Sequence, residues 1–321
     1  MKSANPVRAT TFEVVRRAKY VKINRRKIKE LARLWARDAL IGKLQWPVDT
    51  HYASHNSKKL LDYIVLLDTL NFGFWSRDDK KSWNIFYRGK RYGRYFAWAM
   101  SLKKFFENDL DAGLDRFERI TFNEFKNIFH GRGELLFLKK RWQMARQVAR
   151  AIRMKYGDAG NMVMSCDQKF SWLVPKIAAL PSFDDVAMYG GKKVYIWKRA
   201  QILALDIWGA FQGRGLGKFK DLDYVTTFAD YRIPQILREY GVLEYSPVLE
   251  KKILNKHLIR SGSAHEVEIR AATIWAVEYL TQELHNNGVR VHLFQVDWFL
   301  WETSKKIKIQ MPHHLTKTVF Y

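Results

Sequence analysis

Between Pro47 and Pro175 the chain contains no proline. Proline breaks a helix by removing a donor and clashing with the preceding turn, so this long stretch is open to one helix after another. The apolar spacing fills it with them. KKLLDYIVLLDTLNF (58–72) and LKKRWQMARQVARAIRM (138–154) carry apolar residues at three- and four-residue intervals, the second through Leu138, Trp142, Ala145, Val148 and Ile152. Upstream, Ile28, Leu31, Trp35 and Ala39 repeat the pattern behind Asn24, a residue suited to capping a helix N-terminus.

Strand signals are few. KKVYIW (192–197) and VRVHLFQV (289–296) show some β-branched alternation, and each reads as a short hairpin element or the start of a helix. The fold class expected is therefore all-α, mainly helical with at most a short β-hairpin. The 321 residues are read as a single domain, 1–321, with a possible subdomain boundary at Gly157–Gly160, where a long basic helix ends.

The hydrophobic share of 47% excludes a disordered or low-complexity chain, and the single cysteine, Cys166, excludes an intrachain disulfide or a multi-cysteine metal site. No segment has the apolar run of a secretory signal or a membrane span, and the expectation is a soluble cytoplasmic protein. The net charge of +24 suggests nucleic acid, but its distribution argues otherwise. Residues 1–43 hold 13 Lys and Arg against 3 acids, whereas residues 221–302 hold 8 against 12. The basic face and the chemically informative stretch are separate, so the charge reads as a solvated surface.

Familiar motifs fail on inspection. GRGLGKF (213–219) lacks the spacing of a dinucleotide fingerprint, and Phe219 stands where a phosphate loop needs Ser or Thr, so it reads as a turn. His51 with His55, and His313 with His314, have no third ligand at a recognisable spacing, so no metal is expected.

The informative stretch lies between residues 194 and 302. YIWKRAQILALDIWGAF (195–211) heads an apolar helix with Lys198, Arg199 and Gln201 and embeds Asp206 in its middle, where a charge must be paired or face a cavity. In TTFADYRIPQILREYGVLEYS (226–246), Asp230 stands between Phe228 and Tyr231, four residues before Pro234, on a bend preceding a helix. It reads either as an N-cap or as a carboxylate in an aromatic pocket. VDWFLWE (296–302) places Asp297, Trp298, Trp301 and Glu302 within about one and a half helical turns, either a surface patch or a face for a flat, partly cationic ligand.

LNFGFW (70–75), KRAQ (198–201), FADYRIPQ (228–235), EVEIRA (266–271), DWFLW (297–301) and the terminal PHH…FY (312–321) together resemble the queuosine salvage protein family, the queuosine 5′-phosphate N-glycosylases/hydrolases. The resemblance runs over essentially the whole chain, with the motifs in the family's order. It implies an all-helical fold similar to that of helix-hairpin-helix DNA glycosylases, acting on a free nucleotide: hydrolysis of queuosine 5′-monophosphate to queuine and ribose 5-phosphate. Carried over by position, Asp230 is the catalytic carboxylate with Lys198 close to it, and Phe228, Asp297, Trp298 and Glu302 line the queuine pocket beside Tyr231. His51 and Asn71 or Phe72 are carried over as well. Lys198 or Arg199 would supply the cation for the phosphate. The resemblance implies no metal or organic cofactor, no obligatory nucleic acid and no membrane partner. The alternatives are a DNA or RNA glycosylase, for which no glycine hairpin of the L-P-G-V-G type is found, and a non-catalytic tRNA-binding module, which leaves the acidic, aromatic segment unexplained.

Overall fold

The structure, a computed structural model, describes residues 5–37, 46–76 and 81–321. Among these lie fourteen α-helices and six short strands, so the chain is mainly helical. The apolar spacing locates its helices well. Ser57–Thr69, capped by Asn56, buries every residue from Leu60 to Thr69. Leu138–Tyr156 buries Ala145, Val148 and Ile152 on one face and ends at Gly157, whose φ of +81° suits a residue without a Cβ. Arg25–Trp35 begins behind Asn24, whose side chain accepts the Lys27 amide at 3.0 Å. Ala39, the last residue of that apolar pattern, lies outside the described residues.

The strands form three two-stranded antiparallel sheets. Lys192–Tyr195 pairs with Val186–Tyr189 in a hairpin, as its alternation allows. The segment 289–296 takes the other course: Leu293 opens the helix Leu293–Lys306, and Gln295 Oε1 accepts the His292 amide at 2.7 Å before it. A second hairpin, Asn84–Tyr87 with Lys90–Gly93, and a pairing of Val21–Ile23 with the distant Leu243–Tyr245 carry no alternation long enough to reveal them in the sequence.

Two large hydrophobic clusters and a smaller one fill the interior. The largest gathers residues from Ser57–Thr69, Arg94–Asn108, Leu138–Tyr156, Ala159–Met164 and Lys198–Ala210. Residues 157–160 thus join two helices that pack into one cluster. The second gathers Arg25–Trp35, Arg232–Glu239, Ala264–Asn286 and Leu293–Lys306. Ala264–Asn286 is buried on every face from Glu266 to Ile274, charged residues included, which makes it the central rod of this half. Lys198–Ala210 belongs to one cluster and Arg232–Glu239 to the other, while Leu293–Lys306 gives Phe294 to the first and Leu293, Val296 and Leu300 to the second. The site opens where they meet.

Candidate active site

The loop 225–231 crosses that junction, and three helices hold its backbone. Gln201 Oε1 accepts the amide of Thr226 at 2.7 Å, Asp297 Oδ2 accepts the amide of Phe228 at 2.9 Å, and Arg270 Nε donates to the carbonyl of Ala229 at 3.0 Å. Arg270 is itself fixed by Asp185 at 2.6 and 2.8 Å and by Glu266 at 3.3 Å, in a fully buried cluster. Charges this deep persist only when paired and hydrogen-bonded. Each of the three clamps comes from a different motif: KRAQ, DWFLW and EVEIRA.

Asp230 lies near the end of this loop. Its Oδ1 accepts the amides of Arg232 at 2.6 Å and Ile233 at 3.1 Å, so it does cap the helix Arg232–Glu239. The two readings left open by the sequence hold together: the side chain caps with one oxygen and also lines a cavity of about 370 Å³. Pro234 sits in the first turn, where its missing amide costs nothing.

All of His51, Phe72, Lys198, Phe228, Asp230, Tyr231, Asp297, Trp298 and Glu302 line this one cavity, as does Asn71. Its volume suits a small aromatic ligand. Lys198 is buried, and that burial lowers its pKa first, while the nearby charges of Asp230 and Asp68 work to keep it protonated. Asp297 is pushed up to about 8, chiefly by burial and then by the charge of Asp230. It therefore holds its proton at neutral pH. Trp298 and Trp301 pack with ring centres 5.2 Å apart, and Lys305 lies 3.8 Å over the Trp301 ring while pairing with Glu302 at 2.6 Å. Tyr95 packs edge-on to Trp301 at 6.4 Å, and its hydroxyl meets His51 Nε2 at 2.7 Å, while His51 Nδ1 meets Thr50 Oγ1 at 2.9 Å; burial lowers the pKa of His51 to about 4, so the ring is neutral.

The floor carries a pair that the sequence half reveals. Asp206, which had to be paired or face a cavity, does both: it lines the cavity and hydrogen-bonds to Asp68, its partner from the helix Ser57–Thr69. Burial raises both carboxyls, Asp68 to about 7 and Asp206 well above its usual range, and the charge of Asp68 pushes Asp206 further. Two adjacent carboxyls share one proton because both cannot ionise in so dry a place. Asp206 thus offers the cavity a neutral carboxyl able to donate a hydrogen bond.

Arg199 takes no part in the cavity lining. Its guanidinium donates to the carbonyls of Asp68, Thr69 and Ser182 and packs over Phe72 and Phe183, so it is a buried strut and not a phosphate ligand. Arg141 does the same for the carbonyls of Leu70 and Phe72. Trp46, Tyr95, Arg94, Arg232 and Tyr321 also line the cavity, and none was singled out in the sequence. Tyr95 carries no local motif, while Arg232 and Tyr321 lie inside FADYRIPQ and the terminal PHH…FY. Among the described residues no group of three His, Cys, Asp or Glu side chains could hold a metal ion, and no helix is long and apolar enough to cross a membrane.

This cavity is assembled from the same segments that carry the family-like motifs, and comparison with known proteins agrees. The family model for the queuosine salvage protein matches residues 50–321. The chain is 36% identical to a queuosine 5′-phosphate N-glycosylase/hydrolase from Sphaerobacter thermophilus, over 98% of this chain and 97% of that protein. Proteins of the same description from Dictyostelium discoideum, 34% identical over 98% of each chain, and Mus musculus, 29% identical over 81% of this chain and 82% of that one, are similar as well. With the match covering both the clamps of the loop and the walls of the cavity, the chain belongs to the queuosine salvage protein family.

Proposed function

We propose that this protein is an N-glycosidase that hydrolyses queuosine 5′-monophosphate to queuine and ribose 5-phosphate. The observation that carries the reading is that the nine residues implied by the family resemblance line one cavity. Family membership supports the reaction class.

The chemistry asks for such a cavity. Queuine is a 7-deazaguanine, so ring position seven is carbon and cannot be protonated to ease departure of the base. Stabilisation on the sugar side must do more of the work. As the bond from the anomeric carbon to the base nitrogen stretches, its electron pair leaves with the base and positive charge grows on the sugar. A carboxylate about 4 Å away, at an effective dielectric near 20, is worth roughly 4 kcal/mol, about a thousandfold in rate. Asp230 fills that role: the two amides on Oδ1 fix its orientation, and its other oxygen accepts no hydrogen bond among the described residues. Water adds to the anomeric carbon, its proton is lost, and the base nitrogen gains one, so the hydrolysis balances.

Queuine also carries a cyclopentenediol on a secondary amine that is cationic near neutral pH. Asp297 and Glu302 are its partners and Trp298 its stacking face. Lys198 steadies the Asp230 carboxylate in the resting site. The substrate is a free nucleotide in the compartment where the chain resides, which we take to be the cytoplasm, and neither nucleic acid nor a membrane is needed.

The test is incubation of the purified protein with queuosine 5′-monophosphate, followed by mass spectrometry for free queuine. Queuine should be released without added nucleic acid, cofactor or metal, and unaffected by EDTA. No release, or release only from intact RNA, overturns the proposal.

A further inference from the structure

Breaking the bond between sugar and base leaves an electron pair on the base, and a proton has to meet it. Asp230 serves the sugar end of that bond. The base end calls for a donor, and the cavity floor carries a carboxyl suited to be one.

Asp206 lines the cavity from the helix Lys198–Ala210, and Asp68 stands behind it on Ser57–Thr69, fully buried and outside the lining. Asn71 donates to Asp68 Oδ1 at 3.2 Å, while Asp68 Oδ2 is buried and receives no amide, hydroxyl or ammonium group among the described residues. What bonds to Asp68 from the cavity side is the Asp206 carboxyl. Two carboxyls form a hydrogen bond only with a proton on one of them. Asp68 is sealed from the ligand, so that proton reaches the cavity only through Asp206.

The groups facing Asp206 favour the same arrangement. Ser57–Thr69 presents Asp68 and Tyr63, Arg94–Asn108 presents Tyr95, and its own helix presents Lys198. Burial raises both tyrosines far above their usual range and keeps them neutral, so Asp68 is the negative charge that holds the proton on Asp206. The charge of Lys198 acts on Asp206 and Asp68 and feels Asp230. The other acids of the cavity have partners: Glu302 pairs with Lys305 at 2.6 Å, and Asp297 takes the Phe228 amide and, on the proposed function, the ligand amine. Glycosidic hydrolysis commonly divides its work in this way, one carboxyl acting on the sugar and a protonated one on the leaving group.

We propose that Asp206 is a catalytic residue that donates the proton taken up by the departing base, with Asp68 as the positioning residue behind it. The assignment rests on the proposed function above, since it takes the reaction to be release of queuine from its nucleotide. As the bond from the anomeric carbon to the base nitrogen breaks, its electron pair passes to the base. The Asp206 O–H bond breaks and its proton joins that nitrogen. Water bonds to the anomeric carbon and sheds a proton to solvent, and Asp206 takes one back as queuine leaves. In between, Asp206 is a carboxylate whose charge Lys198 offsets.

The experiment follows single-turnover release of queuine from queuosine 5′-monophosphate as a function of pH in the wild type, Asp206→Asn and Asp68→Asn. The wild-type rate should fall at alkaline pH as Asp206 loses its proton. Asp206→Asn has no carboxyl proton to give, so its rate should be lower by about a hundredfold to ten-thousandfold and that fall should be gone. Asp68→Asn removes the negative neighbour, so Asp206 ionises more easily and the fall should move to lower pH by roughly one unit or more. A merely structural pair would lower the rate without moving the profile. An Asp206→Asn rate within a few-fold of wild type, or a fall that stays in place in Asp68→Asn, overturns the donor. Infrared difference spectra of the free protein supply an arm independent of turnover. At neutral pH the spectrum of wild type minus Asp206→Asn should contain the carbonyl stretch of a protonated carboxyl. If the wild type releases no queuine, the proposed function fails, and the infrared arm still decides on the donor: absence of that band overturns it.

Discussion

Asp297 accepts the amide of Phe228 at 2.9 Å and so ties the helix Leu293–Lys306 to the loop that ends in Asp230. One residue thus fixes the backbone that carries Asp230, the carboxylate proposed as catalytic, and also lines the cavity. Because burial and the charge of Asp230 hold its pKa at about 8, Asp297 is protonated at pH 7 before a ligand binds. A cationic amine arriving there favours the ionised form.

Binding of queuine at pH 7 is therefore expected to release most of one proton. Calorimetry in buffers of different ionisation heat counts it. Asp297→Asn keeps an acceptor for the Phe228 amide but has no proton to lose, so the release should disappear and affinity should fall by about 1.5–3 kcal/mol. Unchanged affinity and unchanged proton release would remove Asp297 from the queuine pocket.

Asp230→Asn should abolish hydrolysis with substrate affinity nearly intact. Asparagine still accepts the amides of Arg232 and Ile233, so the cap survives while the charge facing the sugar is lost. Single-turnover rates should drop by about a thousandfold or more, with an unchanged melting temperature. Asp230→Ala loses both functions and should cost about 1 kcal/mol of stability as well. Wild-type-like rates in the asparagine variant would leave Asp230 a cap only.

The pair on the cavity floor makes a prediction about pH. Asp68, raised to about 7, and Asp206, raised further, bind more protons in the folded than in the unfolded chain above the ordinary carboxyl range. Their contribution to stability is complete at low pH and is lost as pH rises through about 7. Asp206→Asn removes the carboxyl that keeps its proton longest, so stability relative to wild type should rise between pH 6 and 8.5, by up to about 1.4 kcal/mol per pH unit for one proton. Chemical denaturation at both pH values measures the difference, and a flat difference would mean that the two carboxyls do not share a proton.

The basic N-terminal face should matter little to turnover of a free nucleotide. Arg16 and Arg17 pair with Glu13, Arg26 and Lys27 pair with Glu30, and none of them lines the cavity. Changing these four cations to Gln should leave kcat/KM within a few-fold at physiological salt, where the Debye length is about 8 Å. A loss beyond tenfold would give this face a part in steering substrate.

What the sequence made legible follows from how local each signal is. The helices at 25–35, 57–69 and 138–156 announce themselves through apolar spacing and, at Asn24, a cap two or three residues away. Asp206 announced a need, because a charge in an apolar helix must be met, but Asp68, which meets it, lies on a helix far earlier in the chain. Arg199 and Arg232 look alike in sequence; only the fold turns one toward backbone carbonyls and brings the other to the cavity lining. The pairing of Val21–Ile23 with Leu243–Tyr245 was invisible for the same reason, since short strands give no periodicity and their partners are remote.

That remote pairing bears on how the protein is made. Val21 meets Tyr245, so the N-terminal strand leaves the ribosome about 220 residues before its partner is synthesised. At about 5–20 residues per second, this is a wait of roughly ten to forty seconds. Throughout it, Val21, Ile28, Leu31 and Trp35, which end in the second hydrophobic cluster, lack the residues that will cover them. The lysines and arginines crowded around them keep that nascent segment hydrated and mutually repelling, so the positive charge of the N-terminal region serves the unfinished chain.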